Sequence, residues 1–439
     1  MKVVFISLGC AKNLVNTEQM MALCQAAGHT VVAEPEGADI AVLNTCGFIN
    51  AAKSEAIDHI LGLARLKEAG RLGKLLVAGC LSQRYREEML TELPEVDGLL
   101  GTGSYTDVVP ALEAVAAGER PALFGDIDRT VEDGARLVST PPYTAYLKIA
   151  EGCDNRCAYC VIPSLRGRYR SRSMDSLLEE ARALAAAGTR ELIVIAQDIT
   201  RYGMDWDGRH HLADLLRALC RLDFHWIRLH YLYPDEVGDD LIEVIATEPK
   251  ILHYLDIPLQ HINDGILKAM NRRGTKAEIL SLLRTLRARI PDLVLRTSFI
   301  CGLPGEGEAE FEELCAFLRE ARIERGGIFL FSPEEGTPAA AMADQVDPET
   351  AAHRTELLTD IQARVMDDWN GTMLGRTLEV LCEGFDREAG CYVGRSYADS
   401  PEVDGRVCFT AGGEVPAGVF VRVKLTGVSG GDLTGEMTE

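Results

Sequence analysis

The stretch YLKIAEGCDNRCAYC, residues 146–160, decides how the chain is read. It begins as a β-rich run and breaks at Gly152 into a polar loop that carries Cys153, Cys157 and Cys160. Asp, Asn and Arg between the thiols mark an exposed loop, the wrong setting for cysteines that only fill a core. Three thiolates in one tight loop suit three irons of a [4Fe–4S] cluster and leave the fourth iron open to another ligand. A zinc site wants four ligands in paired spacing, and no second CxxC or HxxxH appears.

Outward from this loop, residues 140–371 read as repeated β/α units. Candidate strands at 146–150, 191–196, 226–230, 253–257, 293–300 and 327–331 alternate with helical stretches. Two of these are 173–187, closed by Gly188, and 276–290, closed by Pro291. Six successive units predict a partial TIM-like (β/α)6 barrel, with the cysteine loop at the C-terminal end of its first strand, where barrel active sites sit. A long helix over 348–370 leads out. Residues 1–125 alternate strands (3–8, 40–45, 75–78) with helices (15–27, 51–69, 82–93), which predicts a parallel α/β sheet. Residues 372–439 hold only short β-rich runs at 378–382, 390–395, 403–409 and 418–426 between Gly and Pro. That pattern fits a small antiparallel β-barrel of OB size. The fold class is α/β in three modules.

A second cysteine set follows from topology. Cys10, Cys46 and Cys80 each come just after a predicted strand of the N-terminal sheet, and a parallel sheet puts those ends on one edge. Gly9 and Gly79 precede two of them and let the backbone come close to a bulky group. Three coincidental small core residues are the plain alternative. The other seven cysteines (Cys24, Cys220, Cys301, Cys315, Cys382, Cys391, Cys408) lie in helical or strand patterns and read as packing residues, Cys301 being nearest the pocket.

Composition narrows the function. Asp and Glu number 67 against 45 Lys and Arg, a net charge of −22, which argues against gripping nucleic-acid backbones and suits a basic partner. No apolar run approaches the ~18–20 residues of a membrane span. Thirteen cysteines without a secretion-type signal predict a reduced, cytoplasmic chain.

SLGCAKNLVNTE (7–18), LNTCGFI (43–49) and VAGCLSQRY (77–85), followed by the 146–160 loop, resemble the radical S-adenosylmethionine methylthiotransferase family over essentially the whole chain. The resemblance implies a radical cluster on Cys153, Cys157 and Cys160 and an auxiliary [4Fe–4S] cluster on Cys10, Cys46 and Cys80. It also implies a TRAM domain at 372–439. S-adenosylmethionine would serve twice, as methyl donor and as radical source. A flavodoxin- or ferredoxin-like electron donor is implied as a partner. GCAKN (9–13), IPSLRGRYRSR (162–172), IAQDITRYG (195–203), LDIPLQHIND (255–264) and SPEEGTPA (332–339) are similar to one branch of the family. That branch modifies an aspartate β-carbon in ribosomal protein S-twelve of the small subunit. The alternatives are the branch acting on tRNA adenosine and, from another class, an Fe–S scaffold without radical chemistry. Ala11 and Asn16-Thr17 depart from the usual Pro and Asp-Ser of the family.

Further candidates stand at strand ends. Gln197, Asp198, Asp256, Gln260, Arg296 and Glu306 are expected near a cofactor, and Tyr159, between two cluster ligands, near its adenine. Arg166, Arg168, Arg170 and Arg172 alternate, which in an extended segment places all four on one face. Substrate carboxylate, cofactor carboxylate and acidic barrel residues are their three possible partners. The tail carries six Lys/Arg against eleven Asp/Glu, unlike a tRNA clamp and suited to a basic ribosomal protein. Glu402 and Asp404, in the turn-like SPEVDG (400–405), are the expected exposed contacts.

Overall fold

The computed structural model describes residues 1–129 and 134–438. Six parallel strands form the N-terminal sheet in the order Thr30–Val32, Lys2–Ser7, Ile40–Thr45, Lys74–Gly79, Gly98–Leu100 and Ala122–Leu123. Alternation along each strand feeds two cores. Val4, Ala41, Leu43, Leu75 and Val77 pack with Ala56, Ile60 and Leu63 of the helix Asn50–Glu68. Val3, Ile40, Val42 and Leu76 face Met20 of the helix Ala11–Ala26 and Leu112 of Val108–Ala116. The helix expected over 82–93 is two pieces, Cys80–Tyr85 and Glu88–Glu92, broken at Arg86, whose φ is 46°.

The central domain is a parallel sheet of six strands in sequence order: Thr144–Lys148, Glu191–Ile195, Trp226–Leu229, Ile251–Asp256, Val294–Cys301 and Arg325–Leu330. First and last strands do not pair, so the barrel is open on one side. Ala145, Leu147, Leu192, Val194, Ile227, Leu229 and Leu255 belong to the core shared with the outer helices. Their alternate neighbours Tyr146, Lys148, Glu191, Ile193, Arg228, Tyr254 and Asp256 therefore face the interior.

The C-terminal domain is a closed five-stranded barrel: Thr377–Asp386, Cys391–Arg395, Val407–Thr410, Asp432–Met437 and Phe420–Ser429. Four pairings are antiparallel, and Val407–Thr410 against Asp432–Met437 is parallel, because the last strand closes the barrel back across its own neighbour. The segment 396–404 of this domain plugs the strand-start end of the central barrel. Arg228, fully buried, binds Glu191 (2.9 Å) and donates to the carbonyl oxygens of Tyr397 and Ser396. Arg395 reaches Glu191 at 2.6 Å and Arg325 reaches Asp399 at 2.9 Å. Burial works against the Glu191 carboxylate, but Arg395 and Arg228 outweigh it and bring its pKa down to about 2. No helix among the described residues is long and apolar enough to cross a membrane.

Candidate active site between two cysteine triads

The radical loop is shaped by its backbone. Gly152 has φ 82°, and a Cβ there would lie 1.9 Å from the Arg168 carbonyl oxygen, so only glycine fits. Arg156 is left-handed at φ 50°, its carbonyl held by Asn271 Nδ2 at 2.9 Å. The amide N–H of Cys153 donates to the Gly167 carbonyl and that of Cys160 to the Cys157 carbonyl. The loop thus turns Cys153, Cys157 and Cys160 toward one another. Burial pushes the Cys153 thiol up to about 12 and raises that of Cys160, each further raised by the neighbouring Cys157. Arg272 approaches Cys157 Sγ (3.8 Å) and stacks on Tyr233, whose hydroxyl is 4.0 Å from the same sulfur.

The second triad is assembled by interlocking glycines. A Cβ on Gly9 would meet Cys46 Cβ at 2.6 Å, one on Gly47 the Leu81 backbone at 2.9 Å, and one on Gly79 Asn44 Oδ1 at 2.3 Å. These approaches draw the three strand ends together and bring Cys10, Cys46 and Cys80 onto one edge. Burial lifts the Cys46 thiol to about 11, with Cys80 and Cys10 adding to the rise. At Cys10 burial is outweighed by Lys12, Arg166 and the amides of Asn13 and Lys12, and its pKa falls below the ordinary thiol value.

Among the described residues no three His, Cys, Asp or Glu side chains are close enough to share one metal ion. A cluster is a different case, because it puts each thiolate on its own iron and so accepts wider spacing than a single tetrahedral ion. The donor sets fit such groups: three converging thiols in each triad, half-buried except for the buried Cys80, which a metal's positive charge would deprotonate. Acceptor atoms of Gln197 (Oε1) and Asn155 (Oδ1) are buried beside the radical loop without a partner, which suits a bound cofactor rich in amino and hydroxyl donors.

The triads are neighbours. Cys80 packs with Val161, the residue after Cys160, and with Leu165 and Phe48. Arg166, at the end of the short helix Ile162–Arg166 that follows Cys160, is buried. It donates to Cys80 Sγ (3.4 Å), Asn16 Oδ1 (2.9 Å), Asn13 Oδ1 and Glu151 Oε2 (3.2 Å). Glu151 in turn pairs with Lys148 at 2.8 Å; burial opposes its charge, but Lys148 and Arg166 hold its carboxyl well below the usual range. A second clamp joins the domains at Glu334 in SPEEGTPA, which accepts from Lys53 (2.9 Å), Arg84 (2.8 Å) and the Asn50 amide (2.8 Å).

The four alternating arginines do not share a face. Extended structure covers only Arg170–Ser171, so the alternation has no strand to act through. Arg166 lies at a helix end. Arg168 is exposed and 3.9 Å from Asp128, and Arg170 is 3.7 Å from the same carboxylate. Arg172 is buried against Glu180 at 2.6 Å. Asp404 also departs from expectation. Its side chain is only 5% exposed, it accepts from the Tyr254 hydroxyl (2.6 Å) and the Ser400 amide (2.9 Å), and it lies 3.9 Å from Arg296. The SPEVDG turn folds inward as part of the barrel plug, which is why a turn-like sequence yields a buried acid. Glu402 is exposed, with φ 63°, and lines a cavity of 470 Å³ whose wall includes Gly9, Cys10, Tyr143, Tyr146 and Arg395.

The remaining candidates already have partners. Gln197 Nε2 donates to Glu151 Oε1 (2.5 Å). Asp198 accepts from Asn155 (2.9 Å) and from Thr200, and burial raises its pKa despite them. Asp256 pairs with Arg296 at 2.8 Å. Gln260 adopts φ 70° and bridges to Phe299 of the fifth barrel strand. Glu306 is buried against the Gly302 amide (3.0 Å) and Arg354 of the helix Pro348–Thr372 (3.3 Å), tying that helix to the barrel. Tyr159 packs with Ile266, Met270, Leu303 and Ala339. Sequence reading passed over Lys12, Asn13, Glu151, Tyr233 and Arg272. Glu151 was legible as the acid just before Gly152-Cys153, and Lys12 and Asn13 as polar residues beside Cys10.

Fold and paired triads define a radical S-adenosylmethionine protein with an added N-terminal cysteine domain. The family model described as "Radical SAM superfamily" matches residues 147–318. "Uncharacterized protein family UPF0004" matches 2–101 and "TRAM domain" 374–438. The chain is 48% identical to the "Ribosomal protein uS12 methylthiotransferase RimO" of Symbiobacterium thermophilum, over 100% of this chain and 91% of that one. It is 47% identical to the protein of the same name in Geobacter sulfurreducens, over 99% and 98%. The chain belongs to the RimO family of radical S-adenosylmethionine methylthiotransferases. In fold it is similar to the radical S-adenosylmethionine methyltransferase TsrM from Kitasatospora setae, with a TM-score of 0.59 at 14% identity, covering 77% of this chain and 74% of that one.

Proposed function

We propose that the chain methylthiolates the β-carbon of an aspartate in ribosomal protein uS12, in the cytoplasm. In this reading Cys153, Cys157 and Cys160 hold one [4Fe–4S] cluster, and Cys10, Cys46 and Cys80 hold an auxiliary one. When bound, the two clusters and two S-adenosylmethionines supply an open iron, a reducing electron, a carbon-centred radical and the methylated sulfur. An electron donor of the flavodoxin or ferredoxin kind provides the electron.

The observation that carries the reading is Arg166, buried and hydrogen-bonded to Cys80 Sγ at 3.4 Å while it stands on the helix that leaves Cys160. Radical capture by sulfur requires near contact, so a pocket shared by both triads is the geometry this transfer needs. The protein's own part is to orient and exclude. Arg166, Glu151 and Lys148 form a rigid charged floor, and Gln197 and Asn155 offer acceptors beside the radical loop. Asp198, Asp256, Gln260 and Arg296 ring the strand ends around it. Glu402 stands at the rim of the cavity that reaches Cys10, where an acidic group suits a basic ribosomal protein.

The test is incubation of the reconstituted chain with reductant, S-adenosylmethionine and either isolated uS12 or bulk tRNA. A methylthio group on one uS12 aspartate and an unmodified tRNA are expected by mass spectrometry. Modified adenosine with untouched uS12 would overturn the substrate assignment.

A further inference from the structure

Lys12 sits two residues after Cys10, yet it belongs as much to the barrel as to its own domain. It is 8% exposed, and its Nζ lies 3.4 Å from the centroid of the Tyr231 ring. Tyr231 follows the third barrel strand, Trp226–Leu229, and holds a left-handed backbone at φ 68°, a strained conformation of the kind that clusters at functional sites. Among the described residues no carboxylate lies within ion-pair distance of Lys12. The Tyr231 hydroxyl and the Cys10 thiol act on it first, and Asp256, the barrel carboxylate that also acts on it, is already engaged by Arg296 at 2.8 Å and by the Tyr231 amide at 3.2 Å. A buried ammonium with an aromatic face and no carboxylate partner is an expensive arrangement for stability alone.

Its position gives the arrangement a use. Tyr231 meets Lys12 beside Cys10, and two residues further Tyr233 meets Cys157 with its hydroxyl at 4.0 Å from Sγ. One short segment therefore spans from the auxiliary triad to the radical triad, with Lys12 at its auxiliary end. A lysine suits this place because its ammonium is a compact charge with three rotatable donors, able to serve both oxygens of an incoming carboxylate.

We propose that Lys12 receives the side-chain carboxylate of the substrate aspartate and so holds its β-carbon between the two triads. This rests on the reading of an aspartate in uS12 as the target. The carboxylate that would pair with Lys12 arrives with the substrate, which explains why the folded chain places none at ion-pair distance.

The test compares uS12 with a uS12 variant carrying Asn at the target position, using reconstituted wild-type, Lys12→Met and Lys12→Arg enzymes of equal iron content and melting temperature. Wild type should bind the Asp form about tenfold to a hundredfold more tightly than the Asn form, the range for a charge-assisted hydrogen bond. In Lys12→Met that ratio should fall to near one, and Lys12→Arg should restore most of it. A Lys12→Met enzyme that keeps the wild-type ratio overturns the proposal. So does loss of S-adenosylmethionine affinity with the ratio intact, which would make the carboxylate the cofactor's. Wild-type enzyme that modifies no uS12 aspartate overturns the functional reading itself, and the assignment falls with it.

Discussion

The two cysteine triads, neighbours through Val161 and Arg166, are assembled by opposite routes. Cys153, Cys157 and Cys160 lie within a single loop, and their geometry is set by local backbone: a glycine at φ 82°, a left-handed Arg156 and a few main-chain hydrogen bonds. Cys10, Cys46 and Cys80 come from three strand ends, and only the register of Lys2–Ser7, Ile40–Thr45 and Lys74–Gly79 brings them together. The first triad is built by a turn, the second by a sheet. One can therefore be removed without the other, and Arg166 is where they depend on each other.

The largest expected effects separate the triads. Cys157→Ala should lower reductive cleavage of S-adenosylmethionine by more than about 100-fold, since loss of a ligand exceeds the 10–100-fold typical of outer partners. Iron should fall from about eight to about four per chain. Cys46→Ala should lose the same iron and all methylthiolation, yet keep measurable 5′-deoxyadenosine formation. Equal loss of cleavage in both variants, with folding intact, would erase the distinction.

Arg166→Ala tests the joint. Removing the cation leaves Glu151 with Lys148 and Gln197 and strips Asn13, Asn16 and Cys80 of their shared donor. Breaking a buried pair from one side typically costs about 3–5 kcal/mol, which denaturant unfolding would report. A change below about 1 kcal/mol would show that the triads are not held together there.

The C-terminal plug gives a sharper contrast between neighbours. Asp404→Lys should destabilise the chain by about 3 kcal/mol or more, since it buries a cation beside Arg296 in place of a hydrogen-bonded acid. Glu402→Lys, on the exposed rim, should change stability by less than about 0.5 kcal/mol and act instead on association with uS12. Equal melting temperatures for the two variants would contradict the inward fold of this turn.

Glu191 predicts the acid limb of stability. Its carboxyl drops from 4.5 to about 2 on folding because Arg395 and Arg228 outweigh burial. A depressed acid stabilises above its unfolded pKa, so this contribution is full above about pH 5 and is lost as pH falls toward 2. Glu191→Gln should be less stable at pH 7 and show a flatter decline below pH 5 in thermal melts. An unchanged slope would mean that the plug is held by other groups.

How much of this was legible in the sequence follows the same division. The radical loop could be read from spacing, and the auxiliary triad from the rule that parallel strands end on one edge. The alternation of strands with helices marked the N-terminal parallel sheet, but the three-residue strands Thr30–Val32 and Gly98–Leu100 were too short to carry a period. The alternating arginines misled because alternation means a common face only in a strand, and a helix end and a turn interrupt this one. SPEVDG misled because turn chemistry says nothing about what lies beneath the turn. The links that join the domains, Arg166 to Asn16 and Glu334 to Lys53 and Arg84, connect positions far apart in the chain, so only the fold reveals them.

The central claim is that both triads act within one pocket of one chain, and mixing the two cysteine variants tests it directly. Cys46→Ala retains the radical triad and Cys157→Ala retains the auxiliary one. Equimolar variants with reductant, S-adenosylmethionine and uS12 are followed by mass spectrometry of uS12. No methylthiolated aspartate is expected in the mixture, with wild type modifying it under the same conditions. Restored modification on mixing would show that the two triads work in separate encounters, and would contradict the shared pocket.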